Sequence, residues 1–217
     1  INRFHSLEKR LSSPHNGTLC QKYCDKVYEL IKNKACEDIG TLDDHIDSLR
    51  EDENTNLLPT NIVVNVRSST TAYRLVVDGS QYSAILGSGA NLLPSIVEML
   101  LRFRSKRYCV QLDISQMFFA IQLSPLDRPL MRYLFRDPRK PSDPIRVHQM
   151  AVVPMGNQDS QFIAISCLLM IAKIVRPTFP EIADIIENCF YSDDGILAFD
   201  TKEEAIEVIY KLVKILG

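Results

Sequence analysis

No run of apolar residues in this chain approaches the ~20 that a helix needs to span a bilayer, so a membrane-crossing role is not expected. No basic-then-apolar leader opens it, which removes the mark of a secreted protein and points to an intracellular one, cytoplasmic or nuclear. Ile1 stands where an initiator methionine would, the expectation for a piece cut from a longer chain. Internal repeats and low-complexity tracts are absent. The six cysteines (Cys20, Cys24, Cys36, Cys109, Cys167, Cys189) contain no Cys-x-x-Cys spacing. A zinc site from His15, Cys20, Cys24 and Cys36 is therefore discounted, and the thiols read as buried and reduced. Asn16-Gly17-Thr18 spells a glycosylation acceptor, which without a leader reads as chance.

The chain also lacks the net positive charge of a generic nucleic-acid binder: 217 residues carry a formal charge of −2. Its distribution says more. Residues 1–60 hold 8 bases against 11 acids, and 147–217 hold 5 against 10, but 61–146 hold 12 against 6. A local basic excess of this kind suits contacts to phosphate. An ordinary solvated surface is the plain alternative.

What is present is a set of carboxylates in matching settings. Asp193 and Asp194 stand side by side in Asn188-Cys189-Phe190-Tyr191-Ser192-Asp193-Asp194-Gly195-Ile196-Leu197-Ala198-Phe199. Adjacent like charges beside apolar strands repel unless a cation lies between them, and divalent magnesium prefers a few carboxylates plus phosphate oxygens. Asp-Gly is also a common hairpin signal, so the pair could merely decorate a turn. A third acid, Asp113, ends the apolar run Tyr108-Cys109-Val110-Gln111-Leu112, with Phe118 five positions later. Two strands of one sheet, each ending in acid, would put three carboxylates around two metal ions, the layout of phosphoryl and nucleotidyl transfer.

Hydrophobic spacing predicts helices in the first third, around Leu7–Leu11 and Tyr23–Ile31, then an acidic segment 37–53 with Thr41 as a helix start and a linker over 54–59. Strands are expected at 62–64 and 74–77, joined by a turn at 68–71. A helix follows over 91–103, then a buried strand over 108–113 and extended chain at 131–135 and 145–153. Helices over 158–175, 181–187 and 202–216 surround the hairpin at Asp193-Asp194. The order is that of an α+β fold, an antiparallel sheet backed by helices.

Tyr191-Ser192-Asp193-Asp194 resembles the Tyr-x-Asp-Asp box of reverse transcriptases, and Asp113 through Phe118 resembles their first catalytic motif. Arg74-Leu75-Val76-Val77-Asp78-Gly79-Ser80, Gly89-Ala90-Asn91-Leu92-Leu93, Leu100–Arg104, Pro125–Arg128 and Arg132–Arg136 are similar to the polymerase of Pao-type long-terminal-repeat retrotransposons. The resemblance implies a right-hand polymerase: a helical extension at 1–54, fingers at 55–107 and 131–153, palm at 108–130 and 154–217. It places two Mg2+ ions (or Mn2+) on Asp113, Asp193, Asp194 and the carbonyl of Ile114. It puts Arg67, Arg74, Phe118, Met155 and Gly156 on the incoming deoxynucleotide triphosphate. Phe118 would be the ring that excludes a 2′-hydroxyl. Tyr191 and Ser160 would meet the RNA template and DNA primer.

Four positions depart from the family pattern. Met155 stands where many members have glutamine, Gln161 where proline follows the serine, Ser192 where valine or methionine is common, and Gly195 where leucine follows the aspartates. The chain also stops at Gly217, where relatives continue into primer grip, thumb and ribonuclease H, so weak or undetectable activity is expected of this piece alone. Two functions stay open: an RNA-directed DNA polymerase, or a domesticated fold that binds protein partners and keeps its carboxylates without using them.

Overall fold

Helix α1 (Asn2–Leu11) buries Phe4, Leu7 and Leu11, and α2 (Gly17–Lys32) buries Cys20, Tyr23, Cys24, Val27 and Leu30, each set at the three-to-four spacing that a helix turns onto one side. The structure is a computed structural model and describes residues 1–51, 56–66, 72–80 and 87–217. The chain divides into two compact units, one of residues 1–87 with 118–160 and one of 88–117 with 161–217.

In the first unit, the acidic segment after α2 is not all helix. Cys36–Thr41 forms strand β1, antiparallel to β7 (Arg146–Met150). Its acids are exposed but paired: Glu37 meets Arg128 at 2.6 Å and Gln149 at 3.0 Å, and Asp38 meets Arg146 at 2.5 Å. Opposite charges, Arg146 on the neighbouring strand and Arg128 just outside the sheet, support the strand that local composition argues against. Thr41 then caps the short α3 (Leu42–His45) in a reciprocal capping box with Asp44, as its position suggested, and α4 (Ser48–Glu51) follows.

Part of the expected linker is strand β2 (Leu57–Leu58), which lies parallel to β6 (Arg132–Phe135). With β6 antiparallel to β7, the sheet order is β1-β7-β6-β2. The expected strands at 62–64 and 74–77 form a separate hairpin, β3 (Thr60–Val64) with β4 (Tyr73–Val77). The predicted turn at 68–71 lies outside the described residues. The unit's core joins α1 and α2 to these sheets through Tyr23, Val27, Val77, Tyr133 and Met150. Each large side chain so buried contributes roughly 1.5–3 kcal/mol.

The second unit holds a sheet of order β5-β9-β8, made of β5 (Tyr108–Asp113), β8 (Phe190–Tyr191) and β9 (Asp194–Phe199). Its helices are α5 (Ile96–Phe103), α6 (Ser160–Val175, all but the first residue), α7 (Pro180–Cys189) and α8 (Lys202–Leu216). Helices α5, α7 and α8 pack on β9. Helix α5 starts at Ile96 rather than near Asn91, since Pro94 resists helix and Ser95 caps it by accepting the Glu98 amide.

Strand β5 is not buried as expected: it is an edge strand whose residues alternate half-buried and exposed. Cys109 is therefore exposed, while Cys20, Cys24 and Cys36 are the buried thiols; all six are free. Among the described residues no helix is long and apolar enough to cross a membrane.

Candidate active site

Strand β9 pairs with β5 so that Asp194 stands directly opposite Asp113. The Ile114 amide donates to the Asp193 carbonyl at 2.9 Å. By the alternation of an antiparallel ladder, Asp113 and Asp194 then form the non-hydrogen-bonded kind of pair, whose Cα atoms lie about 4.5 Å apart with side chains on one face. Sequence positions 81 residues apart are thus neighbours, with Asp193 adjacent in the turn.

The sheet's two faces differ. Gly195, Leu197 and Phe199 are buried, while Asp194, Ile196 and Ala198, with Asp113, Gln111 and Cys109 opposite them, face the more open side. Asp113 and Asp194 are exposed and Asp193 is half-buried. Among the described residues none of the three carboxylates has an ion-pair or hydrogen-bond partner. Like charges directly opposite destabilise a sheet, so this pairing is unfavourable by itself and favourable only with a cation.

The turn is a two-residue hairpin. Tyr191 pairs with Asp194, leaving Ser192 and Asp193 as the loop. Ser192 has φ of +63° and Asp193 is not among the positive-φ residues, the pattern of a II′ turn, which prefers glycine first. A serine in the left-handed region costs on the order of 1–3 kcal/mol. Its hydroxyl donates to Gln161 Oε1 at 3.2 Å. Asp194-Gly195 is therefore not the turn, although it looks like one in sequence. Gly195 lies within β9, where a Cβ would come within 2.8 Å of the Phe190 ring, so the ring's packing calls for glycine.

The remaining expected residues lie in the first unit, Tyr191 and Ile114 excepted. Tyr191 is exposed beside Asp194, and the Ile114 carbonyl accepts the Met117 amide at 3.3 Å with a second lone pair left for a ligand. Phe118 is half-buried in the 3-10 turn Met117–Ala120. Arg74 is exposed on β4 with no ion-pair partner among the described residues. Gly156, at φ +103°, would carry a Cβ only 3.8 Å from Val76, two residues along β4 from Arg74 and on the same side of that strand. Sequence positions 74 and 156 are thereby gathered, with the exposed Met155 beside them. Ser160 is buried and its hydroxyl is donated to the Pro154 carbonyl at 2.7 Å, a bond that braces the loop. Arg67 lies outside the described residues.

Among the described residues no three carboxylate, imidazole or thiol groups converge on one point as the side chains stand. The donor set nonetheless fits hard divalent cations: facing carboxylates, a third beside them, no ion pair to lysine or arginine among the described residues, and an exposed face for phosphate oxygens. What sequence reasoning missed is the link between Gln161 and Ser192. Both were visible as departures, and only the fold brings them together.

A family model described as reverse transcriptase (RNA-dependent DNA polymerase) matches residues 63–217. The chain belongs to the reverse transcriptase family. Among solved structures, a foamy viral protease-reverse transcriptase in complex with double-stranded DNA superposes at TM-score 0.64, with 15% identity over 90% of this chain and 34% of that one. The native prototype foamy virus protease-reverse transcriptase gives 0.62, with 16% identity over 88% and 21% respectively. This reverse transcriptase domain thus has the α+β fold of fingers and palm and spans about a third or less of the structures it matches. No curated protein matches it in sequence.

Proposed function

We propose that the chain supplies the fingers and palm of an RNA-directed DNA polymerase of the Pao-type retrotransposon class, extending a DNA primer on an RNA template with deoxynucleotide triphosphates. Residues 55–107 and 131–153 would be fingers, and 108–130 and 154–217 palm. The observation that carries the reading is the register of Asp113 against Asp194, three unpartnered carboxylates on one open sheet end.

Asp113 and Asp194, with Asp193 and the spare lone pair of the Ile114 carbonyl, would hold two Mg2+ or Mn2+ ions. Bound there, the ions would supply Lewis-acid charge that acidifies the primer 3′-hydroxyl and steadies the departing pyrophosphate. Arg74, exposed and uncommitted, would neutralise triphosphate charge. Gly156 lets backbone approach the nucleotide where a side chain would intrude. The Phe118 ring would exclude a 2′-hydroxyl by bulk, and Tyr191 would meet the primer.

The test is primer extension on an RNA template with Mg2+, comparing the protein with its Asp193→Asn variant. Extension that the substitution removes supports the polymerase. Equal extension by the protein and the variant sinks it.

A further inference from the structure

The tip of the β8–β9 hairpin holds a strained residue and a bond that answers the strain. Ser192 occupies left-handed backbone at φ +63°, which glycine adopts freely and serine does not. Its hydroxyl reaches Gln161 Oε1, 3.2 Å away in the first turn of α6. The other end of that carboxamide, Nε2, is buried with no partner among the described residues. A buried half-satisfied amide is unfavourable, so an apolar residue at 161 would serve packing better. The amide is explained by what its oxygen does.

A hydroxyl at 192 and a carboxamide at 161 are both needed for this bond. Neither a proline at 161 nor a valine or methionine at 192 could form this bond. The turn is also tied at its next residue, where the Asp193 carbonyl accepts the Ile114 amide at 2.9 Å. Ser192 is held from α6 and Asp193 from the end of β5, so the tip is fixed from two sides and cannot pivot about one.

We propose that Gln161 is a positioning residue, which through Ser192 holds the hairpin tip in the conformation that turns Asp193 and Asp194 toward Asp113. The inference rests on the polymerase reading for its catalytic consequence, but its geometric part stands apart from it. Gln161 touches neither nucleotide nor metal and acts only through Ser192.

The test uses Gln161→Leu, Ser192→Gly and the double variant. Gln161→Leu is expected to lower kcat for primer extension about tenfold while the KM for nucleotide moves less than about twofold, the sign of an interaction that matters mainly in the transition state. Its melting temperature is expected at or above the parent's, because an unpaired buried amide is gone. Adding Ser192→Gly is expected to restore kcat to within about threefold, since glycine holds the left-handed turn unaided. Unchanged kcat in Gln161→Leu, or a double variant no better than it, overturns the proposal.

The intraresidue amide-to-Hα contact of Ser192, read as an NMR cross-relaxation rate, needs no activity. Positive φ brings these two protons closest, so the rate is expected to fall in Gln161→Leu, and Mn2+ is expected to broaden the amide signals of 113, 193 and 194 less evenly. An unchanged rate overturns the proposal whatever the kinetics show. A lowered rate in a protein that neither binds Mn2+ nor extends primer upholds the positioning role and removes the polymerase reading instead.

Discussion

The paired acids around the first unit's sheet and the three acids at the end of the second unit's sheet are treated in opposite ways. In the first unit Glu8 takes both a 2.8 Å and a 2.9 Å bond from the Arg136 guanidinium, Asp38 is held by Arg146, and the buried Asp137 by Arg139. In the second unit Asp113, Asp193 and Asp194 share a sheet end with no cationic side chain bonded to any of them among the described residues. A paired acid is a structural part whose counter-charge is built in. An unpaired group of acids forced together by strand register is a site that waits for its counter-charge from solution.

The sharpest way to break that contrast is to neutralise one acid from each set. Asp113→Asn is expected to lower primer extension at least about a thousandfold, the scale of losing a group on which metal-assisted transfer depends, with no loss of stability in urea because a repulsion is removed. Asp137→Asn is expected to do the reverse: a loss of about 2 kcal/mol in urea unfolding, from a buried charge pair broken on one side, with extension per folded molecule unchanged.

A substitution beside the site sharpens the contrast between charge and packing. Gly195→Leu, which restores the residue usual in the family, is expected to destabilise by about 1–3 kcal/mol, since Phe190 already occupies the space. Adding Phe190→Ala should recover part of that loss, as read by thermal melting. Equal stability of Gly195→Leu and the parent would mean that the ring moves aside freely.

The smallest expected effects are those of pH. Arg139 holds the Asp137 carboxyl down to about 2, below its ordinary value. Its contribution is full above that ordinary value and fades as pH falls from about 4 toward 2, because the unfolded chain takes up the proton first. Burial pushes the His148 imidazole below its usual range, against the attraction of Asp38. Stability from keeping it neutral is full above about pH 6.5 and declines as pH drops below that value. Urea midpoints measured from pH 7 to 3 should fall in two steps, and His148→Gln should remove the upper one.

Much of this arrangement could be read along the chain, and the exceptions share a cause. Asp113 and Asp194 were legible because each sits at a strand end whose apolar residues are local. The Thr41 cap was legible because capping is settled within three residues. Strand β1 was hidden because Glu37 and Asp38 are unfavourable for a strand until Arg128 and Arg146, about 100 residues away, neutralise them. The exposure of β5 was hidden because an apolar run cannot say whether it lies in the middle of a sheet or at its edge. Gly195 looked like half of a turn, and its reason is a ring five residues earlier folded back across the hairpin. The bond between Gln161 and Ser192 depends on where α6 meets the hairpin, which no local pattern encodes.

Mn2+ binding, counted from the loss of the free-ion signal in electron paramagnetic resonance, tests the central contrast most directly. The account predicts that the protein and its Asp137→Asn variant bind Mn2+ alike, and that Asp113→Asn and Asp194→Asn each lose most of that binding while remaining folded. Undiminished binding in both Asp113→Asn and Asp194→Asn would contradict it.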